Sequence, residues 1–515
     1  MISDKIIIVG GGSAGWMTAT TLIRLFPNKK ITLIESPDTP VVGVGESTLG
    51  FINDWMDLIG LKDKEWMKDC DATYKLSIKF IDFYKKGSAG FHYPFGVPFE
   101  LGLPAGKNTW SFKKMHEPLT PWSDYARFLY PGMALVESNR FGENINGDLG
   151  NFNLKQNSAY HFDAVKFGQS LKDNICIPEG VKHIIEDVKT VEKDDHGNIV
   201  SLNNKYFADL FIDCTGFKSL LLGKEMQVPF ENYNDMLPND TAIACQIPYN
   251  DKEKELVSFT SCTAIENGWV WRIPSWNRIG TGYVYSSKYV SDQQAKIEFI
   301  SHLMTTYSID AREFNFKKIP MKVGLHKNIF FKNVVAIGLS AGFIEPLESN
   351  GLFTVHQFLI QLARLLSNDE INQLDKDMFN KTCIDEFNNM AEFVAIHYYL
   401  SKRNDTKYWR DLQNKSIKDF AKIPNGDIRE LLNHKQVNGF NSYGGLHCIA
   451  TGMRNLAIDP IEVRLRNKVD NIKKFVEDSL YTQIKARNLF MDAWKQAAKS
   501  KPKLIDVLKE IHESS

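Results

Sequence analysis

Apolar positions open the chain in blocks. Residues 5–9 are a near-continuous apolar run, which predicts a buried strand. Gly10-Gly11-Gly12-Ser13-Ala14-Gly15 follows as a turn, then an apolar helix predicted to run to about Phe26 and to stop at Pro27. Residues 31–35 predict a second strand, so the opening reads as one βαβ unit. From 74 to 80 the pattern alternates, with Tyr74, Leu76, Ile78 and Phe80 on one face and Lys75, Ser77 and Lys79 on the other. Period two predicts a half-buried strand. Segment 86–125 is rich in Gly, Pro and aromatics and reads as functional loops. Residues 181–213 carry hairpin signals, among them Asp195-His196-Gly197-Asn198, and end in a strand at 210–213. Residues 240–290 read as several strands. Beyond about 354 helical patterns dominate, interrupted at 422–452.

Composition narrows the class. At 515 residues the chain has room for about three domains' worth of core. Lys+Arg and Asp+Glu are both 62, a neutral balance that argues against nucleic acid as a partner and gives no support for a basic membrane surface. No apolar run approaches the roughly 18 residues of a membrane span. The opening also lacks the basic region and cleavage site of a signal peptide. Cysteines 70, 176, 214, 245, 262, 383 and 448 are scattered and odd in number, without C-x-x-C, so neither a disulfide framework nor a zinc site is expected, and a reducing, cytoplasmic location is. Aromatics reach 12%, which fits a large core or a site for a flat ring.

Gly10, Gly12 and Gly15 form G-x-G-x-x-G between a strand and a helix. The glycines let the backbone approach a pyrophosphate, which the helix N-terminus then receives. Ser13 and Ala14 lie in the same turn. Glu35 ends the second strand 20 residues past Gly15, where a carboxylate accepts from a ribose hydroxyl. This motif alone does not separate FAD from NAD. Residues 208–216 and 333–342, however, resemble the late strand ends that return to the cofactor in flavoprotein monooxygenases, which favours FAD. No second G-x-G-x-x-G is present for NAD(P)H, so reduced flavin would come from elsewhere. Gly338-Leu339-Ser340-Ala341-Gly342 also matches the G-x-S-x-G elbow of α/β-hydrolases, with Ser340 as nucleophile and His356 or His397 as base.

The most distinctive string is Gly268-Trp269-Val270-Trp271-Arg272-Ile273-Pro274. At strand spacing Trp269, Trp271 and Ile273 share a face, and core packing is the plain explanation. The string also resembles the signature of flavin-dependent halogenases, the tryptophan-halogenase-like family. Further segments are similar to that family: Gly10 to Met17, Gly43-Val44-Gly45-Glu46-Ser47-Thr48, Tyr74-Lys75-Leu76-Ser77-Ile78-Lys79-Phe80, and Tyr160-His161-Phe162-Asp163-Ala164. Phe343-Ile344-Glu345-Pro346-Leu347-Glu348-Ser349-Asn350-Gly351, His397-Tyr398 and Asp405-Thr406-Lys407-Tyr408-Trp409-Arg410 extend the likeness.

The resemblance implies an α/β fold: a Rossmann-like FAD-binding module of the flavin monooxygenase type, an inserted β-rich module and a C-terminal helical region. On this reading residues 1–85, 155–225 and 330–365 form the FAD module. Residues 86–154 and 226–329 form the interleaved sheet and loops, and 366–515 the helical substrate side. It implies that FADH2 from a separate NAD(P)H-dependent flavin reductase, O2 and a halide ion produce hypohalous acid. That acid then halogenates a small electron-rich arene in a second pocket. Lys75 matches the family lysine, which polarises the hypohalous acid or forms a haloamine. Glu348 matches the glutamate that orients the acid and takes the arene proton, while Glu345 reads as a structural helix-start carboxylate. Gly45, Glu46 and Ser47 form a flavin strap, and Gly338 a further cofactor contact. Asn350, where the family usually has Thr, and Gly351 offer backbone N–H groups to halide. Trp269 and Trp271 shield the flavin from organic substrate.

Ser349, His92, Phe95 and Tyr443 are candidate substrate contacts, with Tyr93 and Trp110 as further wall residues. Segment 437–447 does not match the pattern that holds the amino acid end of free tryptophan, so indoles and phenols stand beside tryptophan. A homodimer is left open. The alternatives are an aromatic hydroxylase using flavin, an inactive flavin-binding scaffold and the hydrolase.

Overall fold

A computed structural model describes residues 3–38, 45–99, 110–111, 113–114, 117–142, 149–150, 152–413, 445–456 and 470–513. Strand β1 (Lys5–Val9) leads through helix α1 (Ser13–Leu25) to β2 (Lys30–Glu35). β1 is the middle of a six-stranded sheet in the order Phe330–Phe331, Val334–Ala336, Leu210–Asp213, β1, β2, Lys182–Ile185. All pairs are parallel except the Phe330–Phe331 edge. A parallel sheet is covered on both faces, which is why β1 is apolar at four successive positions instead of alternating.

β3 (Glu46–Ser47), β4 (Thr73–Lys75) and β7 (Ala159–Phe162) form a small antiparallel sheet. β5 (Ser77–Ile81) and β6 (Phe91–Pro94) instead close the edge of a seven-stranded sheet. The rest of that sheet is Lys317–Pro320, Thr241–Ile247, Ile279–Tyr285, Gly268–Pro274 and Phe259–Ile265. The alternating stretch 74–80 is therefore not one half-buried strand. The chain changes sheets at Leu76, whose N–H donates to Ser258 and whose carbonyl accepts from Phe95. Lys75 and Ser77 are both fully buried. The change also moves a boundary: residues 77–81, placed with the FAD module from sequence, pair within the seven-stranded sheet.

Register separates the two faces of the seven-stranded sheet. Cys262 stands opposite Phe80 on one side and Trp271 on the other, and Phe80 opposite Phe91. These residues join the main core. Ile243, Val270 and Tyr283 point the other way and pack on the Asp292–Tyr307 helix through Ala295, Phe299 and Leu303. Helices Phe353–Leu366, Gln373–Tyr399, Lys407–Gln413, Gly445–Gly452, Asp470–Lys499 and Leu504–Glu513 make up the C-terminal part. Among the described residues no helix is long and apolar enough to cross a membrane.

Candidate active site

The Gly10–Gly15 turn has the geometry its glycines require. Gly10 has φ +112°, and a Cβ there would stand 2.3 Å from the Cys214 carbonyl oxygen. A Cβ on Gly15 would meet the Gly10 carbonyl oxygen at 1.9 Å, whereas one on Gly12 would meet nothing within 4 Å. The turn is thus sealed behind and open in front. α1 begins without a side-chain cap, so its first amides face that opening. Ser13 turns its hydroxyl away, onto the Ala164 carbonyl at 2.7 Å, and leaves only backbone to the turn. Ala14 packs under Gly338, which has φ +73°.

Glu35 lays one carboxylate oxygen over Gly11, 1.5 Å from where a Cβ would sit, and His183 Nε2 lies 2.6 Å from the other. The residues present fit the adenosine diphosphate end of FAD. Gly45 has φ +83° and backs onto Gly280. The Ser47 hydroxyl pairs with Thr260 at 2.7 Å, so that side chain is structural, like that of Ser13.

The Pro346–Glu348 turn and the end of β4 bring the chemistry together. Lys75 Nζ donates to the Thr48 carbonyl and to Ser349 Oγ, both at 2.8 Å, and lies 5.0 Å from the Phe95 ring centre. Burial pushes the lysine down to about 7, opposed by Cys262, Glu348 and Glu46. An ammonium holding two acceptors keeps one N–H free for a ligand. Burial also pushes Glu46 up to about 7 against the pull of Lys75, while other atoms of this residue remain partly exposed. Its Oε1 would stand 2.4 Å from a Cβ on Gly351, so glycine there makes room for the carboxylate.

Ser349 caps the turn in the left-handed region at φ +59°, a conformation costly for a residue with a Cβ and typical of sites that over-determine their geometry. Both Glu348 oxygens and both polar atoms of the Asn350 amide are buried with no hydrogen-bond partner. Such groups are rare unless they face a ligand. Glu345, expected as a helix-start carboxylate, does stand at the N-cap of the Pro346–Glu348 turn, but without a side-chain cap bond and fully buried. It accepts from Trp269 Nε1 at 3.3 Å and from the Tyr398 hydroxyl. Burial pushes it up to about 7, countered by those donors and Asn239.

Trp269 and Trp271 do share a face, ring centres 6.2 Å apart, on the Glu345 side of the sheet. Phe95 and Tyr93 line the lysine–glutamate region. His92 does not: strand alternation puts it on the opposite face, opposite Lys79, with Nδ1 3.0 Å from Ser77 Oγ and its ring on Phe259. Burial, with Lys79 and Arg127, pushes His92 down to about 3. Lys79 lies over Phe259 on that same far face, so the two lysines do not share a side. Trp110 packs on Tyr125 and Phe128. Tyr443 lies outside the described residues.

Parity of the 91–95 run would have chosen Tyr93 and Phe95 over His92. Thr48 and Cys262 carried no local signal. The hydrolase elbow fails on geometry: Ser340 is fully buried and spends its hydroxyl on the Asp213 and Ile337 carbonyls, with no histidine attached.

Residues 5–458 match the tryptophan halogenase family. The chain is 34% identical over 426 residues to Tryptophan 7-halogenase RebH of Lentzea aerocolonigenes, covering 79% of this chain and 78% of that one. Among solved structures, the VirX1 apo structure superposes with a TM-score of 0.88 at 38% identity, covering 99% of both chains. Tryptophan 6-halogenase SttH of Streptomyces toxytricini gives a TM-score of 0.84 at 31% identity, over 98% of this chain and 99% of that one. The chain with this lysine–glutamate site belongs to the tryptophan halogenase family of flavin-dependent enzymes.

Proposed function

We propose that the chain halogenates a small electron-rich arene, an indole, tryptophan-like or phenolic ring, using FADH2 from a separate NAD(P)H-dependent reductase, O2 and halide. The reading rests on one observation: a fully buried lysine, anchored by two acceptors, faces a fully buried glutamate whose oxygens accept nothing from the protein. Bound reduced flavin supplies the electrons that, with O2 and halide, make hypohalous acid.

The remaining steps belong to residues of this chain. Gly10, Gly12, Gly15 and the first amides of α1 hold the pyrophosphate, and Glu35 a ribose hydroxyl. Backbone N–H groups at Asn350 and Gly351, with the unpartnered Asn350 amide, hold halide. Trp269, fixed through Glu345, and Trp271 wall the flavin from the arene. The free N–H of Lys75 holds the oxygen of hypohalous acid and makes its halogen electrophilic. Glu348 takes the proton from the halogenated ring carbon.

The test is the assay itself: FADH2, O2, bromide and indole, with product read by mass spectrometry across halides and arenes. Haloindole is expected, and Lys75→Ala is expected to abolish it while flavin binding persists. A hydroxylated product independent of halide would replace this reading with the hydroxylase. Bound flavin with no product from any arene would leave a scaffold.

A further inference from the structure

The last turn of the Gln373–Tyr399 helix meets the Pro346–Glu348 turn through two consecutive residues. Tyr398 donates to Glu345, and His397 brings Nε2 to 2.6 Å from Glu348 Oε1. Both His397 and Glu348 are fully buried. Neither atom makes a hydrogen bond, so the contact is one of proximity.

Chemistry fixes what that proximity means. His397 Nδ1 lies 3.0 Å from the Phe393 carbonyl. A carbonyl only accepts, so Nδ1 carries the ring proton and neutral imidazole leaves a lone pair on Nε2. A lone pair held 2.6 Å from a carboxylate oxygen is repulsive, and a proton placed between them turns the contact attractive. One proton held between the two atoms would serve both.

Phe80, Phe83 and Phe393 wall the imidazole, with ring centres at 4.8, 6.5 and 5.4 Å. Around Glu348 the ionisable neighbours are Lys75 from β4, Tyr93 from β6, Cys262 from the Phe259–Ile265 strand and Cys448 from the Gly445–Gly452 helix.

Resting on the halogenation reading above, we propose that His397 is a positioning residue for Glu348 and takes over the proton that Glu348 removes from the halogenated arene. The C–H bond at the halogenated carbon breaks, and its electron pair restores the aromatic ring. The proton goes to a Glu348 oxygen and from Oε1 to His397 Nε2. The carboxylate is an anion again, and the imidazolium beside it keeps the buried pair neutral. The proton leaves to water with the product.

The experiment compares wild type, His397→Gln, His397→Ala and Glu348→Gln in the complete assay with indole and ring-deuterated indole. Hypohalous acid is measured separately with a β-diketone scavenger, and folding by thermal denaturation. For His397→Gln, unchanged oxidant production is expected, with haloindole formation down about tenfold or more. A primary isotope effect absent from wild type should appear, and the acid side of the pH profile should shift. Added imidazole should restore part of the His397→Ala rate. A wild-type pH profile with no isotope effect overturns the proposal, as does an equal loss of oxidant and haloindole. Glu348→Gln separates the two levels: if it still halogenates, the reading beneath fails. If it is inactive while His397→Gln matches wild type, only the role of His397 falls.

Discussion

Lys75 Nζ donates to Ser349 Oγ at 2.8 Å across 274 residues of sequence, tying the end of β4 to the turn that carries Glu348. The hydroxyl is delivered by a residue in the left-handed region, φ +59°.

Two substitutions separate that hydroxyl from that backbone. Ser349→Ala removes the acceptor and keeps the strained backbone; Ser349→Gly removes both. Thermal denaturation should find Ser349→Gly more stable than Ser349→Ala by about 1 kcal/mol. Haloindole formation should fall about tenfold in both, since each loses one hydrogen bond to a charged donor. Equal stability would show that the left-handed turn is unstrained.

The charge state of Lys75 decides between two chemistries. Burial brings the lysine to about 7, so it is increasingly cationic below that pH and increasingly neutral above it. If the ammonium polarises hypohalous acid, haloindole formation falls as pH rises through about 7. A haloamine route needs the neutral amine and gives the opposite slope. The measurement is arene halogenation against pH with oxidant production monitored in parallel. Our reading is the falling slope.

Gly282 is where the tryptophan wall meets its support. A Cβ there would stand 2.2 Å from Trp271 Cη2 and 2.8 Å from the Ile243 carbonyl oxygen. Gly282→Ala should destabilise the protein by about 1–3 kcal/mol and shift its tryptophan fluorescence as the indole moves. An unchanged melting temperature and spectrum would mean that Trp271 has room to yield.

His183 holds one oxygen of Glu35 at 2.6 Å while the other covers Gly11. His183→Ala should weaken FAD binding about tenfold, the worth of one charge-assisted hydrogen bond, with the melting temperature of the apo protein little changed. Titration of the apo protein with FAD by fluorescence measures it.

The first 35 residues were legible because strand, turn and helix each carry local signals; α1 ends at Leu25, close to the expected Phe26. The Trp269–Trp271 face was legible for the same reason, since period two survives in any strand. The sheet change at Leu76 was not. Alternation continues through it in the sequence, while Lys75 and Lys79 end on different sheets. His92 failed because aromatic composition does not encode a face; its neighbours Tyr93 and Phe95 had the correct parity. The partners of Lys75, Glu345 and Glu348 lie far along the chain, at Thr48, Ser349, Trp269, Tyr398 and His397. Spacing within a motif carries no information about such contacts.

The seven cysteines acquire a meaning that their scatter did not suggest. All are free and buried, and thiols are the side chains that a halogenating oxidant attacks soonest. Oxidant that escapes the site meets no thiol on the outside of its own molecule. Cys262 is placed differently from the others: it interacts with both Lys75 and Glu348 and donates weakly to the Leu347 carbonyl. Burial protects that thiol from the solvent and not from oxidant held at Lys75, so sulfur oxidation during turnover should fall on Cys262 and on Cys448, the other thiol beside Glu348.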